Sequence, residues 1–109
     1  MHNIDHPNVV RFETSFQGKN NFILDSGWYF IVMEYCDMGN LLTYQSKIPN
    51  KTLGLAKASK ILLQILNGIL TIHSQNIIHR DIKCENIFLK KNSKGNGYQC
   101  KIGDFGFAK

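Results

Sequence analysis

In the second half of the chain, the stretch His79-Arg80-Asp81-Ile82-Lys83-Cys84-Glu85-Asn86 gathers a carboxylate, an ammonium and a carboxamide at close spacing. Asp104-Phe105-Gly106 then adds a second carboxylate with a glycine behind it. A carboxylate can accept a proton from a hydroxyl, and carboxylate and carboxamide oxygens suit a hard divalent cation. An ammonium between them can neutralise charge developing on a phosphate, and Gly106 permits a tight turn after the second acid. Asp-Phe-Gly alone recurs by chance in many proteins. The eight-residue stretch fits H-R-D-x-x-x-x-N and is far more specific, and the two in this order are more specific still.

The elements needed to position these groups are legible in part. Val9 to Phe16 alternates, with Val10, Phe12, Thr14 and Phe16 on one face, which predicts a half-buried strand. Gly18 to Asn21 is polar, and Asp25-Ser26-Gly27 is a turn signal before Trp28 to Tyr35, an aromatic and β-branched run predicted to pair antiparallel with the first strand. Glu34 to Gly39 is expected to be a connector. From Leu53 to Ser74 the period becomes helical, with Leu62, Ile65, Leu66, Ile69 and Ile72 on one face and Leu63 and Leu70 widening it. That width predicts a largely buried helix, with Thr52 or Ser59 as the candidate cap. Ile87 to Leu89 and Tyr98 to Ile102 flank the polar turn Asn92 to Gly97 and predict a β-hairpin. The fold class expected is α+β.

Composition narrows the function classes. A chain of 109 residues, 43% apolar and 19% charged, is long enough for one small core and too short for two ordinary domains. It lacks an uninterrupted apolar stretch of bilayer-spanning length, and its start has no secretory pattern, so no membrane segment is expected. Cys36, Cys84 and Cys100 have neither disulfide-frame nor zinc-site spacing, which suggests free thiols and an intracellular, cytoplasmic setting. Residues 46–109 carry eleven basic and three acidic side chains. The lysines are scattered and not clustered with aromatics, which favours a solvated surface or a phosphate-bearing small ligand over nucleic acid.

At its two most diagnostic sites the sequence resembles the protein kinase family. That resemblance implies ATP and Mg²⁺ as cofactors and a protein hydroxyl as substrate. Asp81 is then the base and Lys83 the phosphate-neutralising cation, with Asn86 and Asp104 as metal ligands. A Lys at position 83 resembles the Ser/Thr branch. His6-Pro7-Asn8-Val9-Val10-Arg11-Phe12 is similar to the segment that follows the regulatory helix and enters the fourth small-lobe strand. Phe30-Ile31-Val32-Met33-Glu34-Tyr35-Cys36 resembles the fifth strand running into the hinge. The alignment makes Met33 the gatekeeper, gives Glu34 and Cys36 backbone contacts to adenine, and brings Asn40 near the ribose. Leu41 and Phe88 become apolar residues beside the adenine. Met33, Leu41 and Phe88 are equally ordinary core positions.

By the same resemblance Met1, Phe12, His79 and Phe105 form a stacked spine, so His79 is structural and not a base. Arg80 resembles arginines that pair with a phosphorylated activation loop. The implied organisation is one partial kinase domain over 1–109: a small-lobe remnant at 1–35, a hinge at 36–40 and the start of the large lobe at 41–109. That last part would hold the long helix, the catalytic loop, the short hairpin and Asp-Phe-Gly. The sequence shows no Gly-rich loop, strand lysine, helix glutamate or A-P-E, so the expectation is a fragment inactive alone. The alternative is a non-catalytic kinase remnant acting as a binding or regulatory piece. Met33 to Leu41 and Gly103 to Lys109 are similar to the unc-51-like kinases, and His6 to Val10 and Asn86 to Leu89 to the NIMA-related kinases.

Overall fold

Two short stretches of alternating β-branched and aromatic residues, separated by one long apolar helix, produce two small sheets on either side of that helix in sequence. In the computed structural model, which describes residues 4–19, 27–92 and 97–103, β1 (Phe12–Lys19) runs antiparallel to β2 (Gly27–Met33), and β3 (Ile87–Lys91) runs antiparallel to β4 (Tyr98–Ile102). In the first sheet Phe16 faces Phe30 across the strands, and their rings stack with centroids 5.0 Å apart. In the second, Ile87 pairs with Ile102 and Leu89 with Cys100, and all four are buried.

The first strand begins later than its alternation suggests. Val9 and Val10 are both buried, which an alternating strand with one wet face does not allow. They join the second sheet instead: Ile102 N–H donates to Asn8 O at 2.9 Å and Val10 N–H donates to Ile102 O at 2.9 Å. β1 then slips register between Phe12 and Thr14, so Thr14 and Phe16 are solvent-exposed and do not continue a buried face.

Helix α1 (Leu41–Ser46) is absent from the sequence reading, because six residues are too few for a periodicity to declare itself. Asn40 caps it, its side-chain oxygen accepting from Thr43 N–H at 2.8 Å. Helix α2 (Leu55–Ser74) matches the expected long helix, but neither Thr52 nor Ser59 caps it. Its N-cap is Gly54, at φ +79°, with no side-chain cap hydrogen bond.

The expected burial of α2 is also corrected. The buried edge is Ile61, Gly68 and Ile72, whereas Leu62, Leu63, Leu66 and Leu70 are exposed. The inward edge is chosen by β4, against which α2 packs, and not by the broadest run of leucines. By length and composition α2 could cross a bilayer. Here its Ile61–Gly68–Ile72 edge lies on the same core as Val9, Leu89 and Ile102.

Gly68 is the contact point. A Cβ there would lie 2.7 Å from Asn8 O and 2.9 Å from the Cδ1 of Ile102. Alanine is the better helix former by about 1 kcal/mol, so in an open position Gly68→Ala would stabilise. Here the backbone oxygen cannot give way, and the substitution is expected to cost about 1–3 kcal/mol by overpacking. Chemical denaturation of the full-length protein checks this; a stability gain would mean that α2 does not rest on Asn8.

Candidate active site

The end of α2 determines where the chemistry-bearing segment starts. Asn76 adopts φ +61°, its N–H bonds His73 O at 3.0 Å, and Ile77 N–H reaches back to Ile72 O at 3.3 Å. This is a Schellman turn, which caps the last carbonyls and buries Ile77 beside the core. Two residues later His79 is 2% exposed. Its Nδ1 accepts from Asp81 N–H at 3.1 Å, which leaves Nε2 to donate to Gly103 O at 2.7 Å. His79 therefore acts as a bracket between two segments. Arg80, between these bonded residues, is held at φ +75°, a conformation costly for a side chain with a Cβ.

Asn86 closes a single turn of 3₁₀ helix, Cys84–Asn86, with Lys83 at its N-cap. Asn86 is buried, and its Nδ2 donates to Asp81 O at 2.8 Å and to Asp81 Oδ2 at 2.9 Å. Because both partners can only accept, they fix which end of the carboxamide faces them. Both N–H groups are used, and among the described residues Oδ1 has no protein donor. Lys83 Nζ lies 3.7 Å from Asp81 Oδ1. Asp81, Lys83 and Asn86 are thus brought together. Asp104 lies outside the described residues, as do Met1, Phe105 and Gly106. The peptide preceding it is anchored at both ends, with Gly103 N–H on Asn86 O at 2.9 Å and Gly103 O on His79. A buried carboxamide oxygen without a donor, next to a carboxylate, fits a hard divalent cation.

A cavity of about 320 Å³ opens near this site, lined by Val10, Met33, Glu34, Cys36 and Phe88 together with Tyr35 and Gly39. It unites four of the six residues assigned to the adenine and ribose from sequence; Leu41 is instead buried in the core. Asn40 is not in its lining; its side-chain oxygen caps α1, and its backbone pairs with Phe88. The connector is tied to β3 by Met38 N–H on Leu89 O at 3.1 Å and Leu89 N–H on Gly39 O at 2.8 Å. Glycine at 103 gives the Phe88 ring its room, since a Cβ there would lie 2.7 Å from the ring edge.

The side chain of Glu34 is the feature that sequence reasoning missed, since only its backbone had been assigned a role. Oε1 accepts from Arg11 N–H at 3.1 Å, and Oε2 lies 2.9 Å from Lys90 Nζ and 3.1 Å from Lys101 Nζ. The side chains of Glu34 and Lys101 are 7% and 6% exposed. Burial pushes the Glu34 carboxyl up, but hydrogen bonds from Lys90, from Arg11 N–H and from Lys101 outweigh it and hold the pKa at about 2. A signal existed in the lysines at alternate ends of the predicted hairpin, but only the register of β3 with β4 brings both to one acid.

Comparison with known proteins gives a consistent result. The family described as protein kinase domain matches residues 1–109. Serine/threonine-protein kinase Nek5 of Homo sapiens is 42% identical over 113 residues, covering 100% of this chain and 14% of its own length. Serine/threonine-protein kinase Nek3 of Mus musculus is 38% identical over 104 residues, covering 95% of this chain and 18% of its own. Serine/threonine-protein kinase ksp1 of Schizosaccharomyces pombe is 35% identical over 105 residues, covering 94% and 21%. The chain therefore spans less than a quarter of the length of these relatives. Of the two resemblances drawn from sequence, the NIMA-related one is the one that the Nek relatives carry.

The Glu34 cluster sets an acid limit. The carboxyl falls from an ordinary 4.5 to about 2 in the folded chain. Its stabilising contribution is therefore complete above about pH 5 and is lost as pH falls towards 2. The loss amounts to about 3 kcal/mol at most. Glu34→Gln is expected to be less stable at neutral pH by a similar amount, because Lys101 is left buried and unpaired, and to lack this part of the acid-dependent decline. Denaturation of both full-length forms between neutral and acid pH checks it. Parallel pH profiles would show that Glu34 is not ionised in the fold.

Proposed function

The chain belongs to the protein kinase family, and we propose that in the complete domain it transfers the γ-phosphate of ATP to serine or threonine hydroxyls of proteins. The observation that carries this reading is the carboxamide of Asn86: both of its N–H groups are bound to Asp81, and its oxygen faces no donor among the described residues. One group thereby orients a base and offers a metal ligand.

In this reading Asp81 takes the proton of the attacking hydroxyl. Its Oδ2 is engaged by Asn86, so Oδ1 is the oxygen turned to substrate. Lys83, close to that same oxygen, neutralises charge on the group in transit. Asn86 Oδ1 and Asp104 would hold Mg²⁺, which when bound draws charge from the phosphates and fixes their geometry. The apolar walls of the 320 Å³ cavity, Met33 and Phe88 among them, would enclose the adenine. Backbone groups of Glu34 and Cys36 would reach its edge, and Asn40 would lie towards the ribose. Lys83, and relatives that are Ser/Thr kinases, support serine and threonine as acceptors.

The same alignment assigns β1 and β2 to the small-lobe remnant (1–35), residues 36–40 to the hinge, and α2 with the β3–β4 hairpin to the start of the large lobe (41–109). The free thiols at Cys36, Cys84 and Cys100 support an intracellular, cytoplasmic setting. A second reading, a non-catalytic piece that binds a partner, is favoured by one observation, the exposed Leu62, Leu63, Leu66 and Leu70 of α2.

Phosphotransfer to a generic protein substrate, measured on the full-length protein, separates the readings. Asp81→Asn is expected to lower kcat by about 10²–10⁴-fold with KM for ATP little changed. Asn86→Ala is expected to lower it as well and to raise the Mg²⁺ concentration for half-maximal rate, which Asp81→Asn does not. Equal rates for wild type and Asp81→Asn would remove the catalytic reading and leave the binding one.

A further inference from the structure

A second cavity, of about 480 Å³, opens beside the first turns of α2 and shares no residue with the site around Asp81 and Asn86. Ala56, Lys57, Lys60 and Ile61 line it from the helix, and Tyr98 and Cys100 from β4. Ile61 and Cys100 are buried and form an apolar floor. The polar groups beneath are already satisfied. Gln64 Oε1 accepts from Cys100 N–H at 2.8 Å and from Asn8 Nδ2 at 3.2 Å, and its Nε2 donates to Tyr98 O at 3.3 Å. An occupant therefore meets apolar surface below and positive charge at the rim.

That charge is held in place. Lys57 Nζ lies 2.8 Å from Tyr44 Oη and 5.4 and 5.7 Å from the ring centres of Tyr44 and Tyr98. Its hydrogen bond to Tyr44 raises its pKa, so it stays protonated. Lys60, one turn further along, is exposed. Among the described residues neither lysine has a carboxylate partner, no acidic side chain lines the cavity, and the first turn of α2 has none. Tyr44 and Tyr98 meet edge to face, 5.5 Å apart at 65°, and Lys57 sits over both.

We propose that this cavity docks an extended acidic segment of a protein, with an apolar side chain on the Ile61–Cys100 floor and carboxylates against Lys57 and Lys60. As a device for recruiting substrates the inference rests on the kinase reading; as a binding site it does not.

Fluorescence anisotropy on the full-length protein tests it without requiring activity. The probe is a labelled peptide with glutamates flanking a pair of leucines, and the control carries lysines in place of the glutamates. Wild type is expected to bind the acidic probe, more weakly as salt rises, and to ignore the control. Lys57→Glu with Lys60→Glu is expected to weaken binding about tenfold or more. Lys60→Glu alone, which leaves the Tyr44–Tyr98–Lys57 packing intact, is expected to weaken it severalfold and guards against a folding defect. Equal binding by all forms, preference for the control, or equal competition by single-stranded RNA would each overturn the proposal. Binding that is lost on Lys60→Glu in a protein without phosphotransfer would uphold the docking site while removing the kinase reading.

Discussion

Ile102 exchanges backbone hydrogen bonds with two residues near the start of the chain, donating to Asn8 and accepting from Val10. Most of the remaining structure is arranged around that pairing. Asn8 Nδ2 also donates to Cys100 O and to Gln64 of α2, so one carboxamide joins the early segment, β4 and the long helix. Gly68 then lets the helix rest on the Asn8 carbonyl itself. Because these groups are buried, leaving any of them unpaired would cost about 1–3 kcal/mol. The arrangement is therefore favoured over nearby alternatives that pack the apolar residues equally well. The residue after Ile102 is Gly103, whose two peptide groups are held by Asn86 and His79. The position of the candidate site thus follows from a strand pairing made with residues far away in sequence.

Glu34 acts in the same region by charge. A buried ion pair is weak as a source of net stability, because desolvation offsets most of the attraction. Its effect is on geometry: the carboxylate must lie where Lys90, Lys101 and Arg11 N–H converge, and only one register of β3 against β4 achieves that. The connector after β2 is thereby fixed to the hairpin by side chains at Glu34 and by backbone bonds at Met38 and Gly39. The 320 Å³ cavity lies between these attachments. Its shape depends on a polar contact although its walls are mostly apolar.

What was legible in the sequence differs by element for physical reasons. The convergence of Asp81, Lys83 and Asn86 was legible because all three fall within six residues, where spacing leaves little freedom. The β3–β4 hairpin was legible because its two runs are close in sequence and bounded by a polar turn. The inward face of α2 was not. Periodicity locates a broad apolar stripe over Leu62, Ile65, Leu66 and Ile69, but the partner strand selects its edge, and a glycine, which carries no hydrophobic signal, marks the closest approach. Val9 and Val10 were misassigned for a related reason: their pairing partner, Ile102, lies at the other end of the chain. The side chain of Glu34 was missed because its partners are set by register, which sequence does not display.

The position of the lysine-rimmed cavity on α2 has a mechanical consequence. Ile61 lines that cavity, whereas Ile72 lies at the helix end that leads into His79 and Asp81. Between them a helix rises about 16 Å. A rigid element of that length keeps the two regions at a fixed separation; on the proposed reading, a protein segment docked at one end would have its nearby hydroxyls confined around the other. On that reading, acceptor sites joined to an acidic docking segment by a linker whose span matches the distance from the cavity to Asp81 would gain the most in effective concentration, and much shorter linkers would not reach. Specificity could then reside in spacing and charge along the substrate, with little demand on the residues next to the acceptor, and the compact site around Asp81 would not need a deep pocket of its own for the acceptor's neighbours.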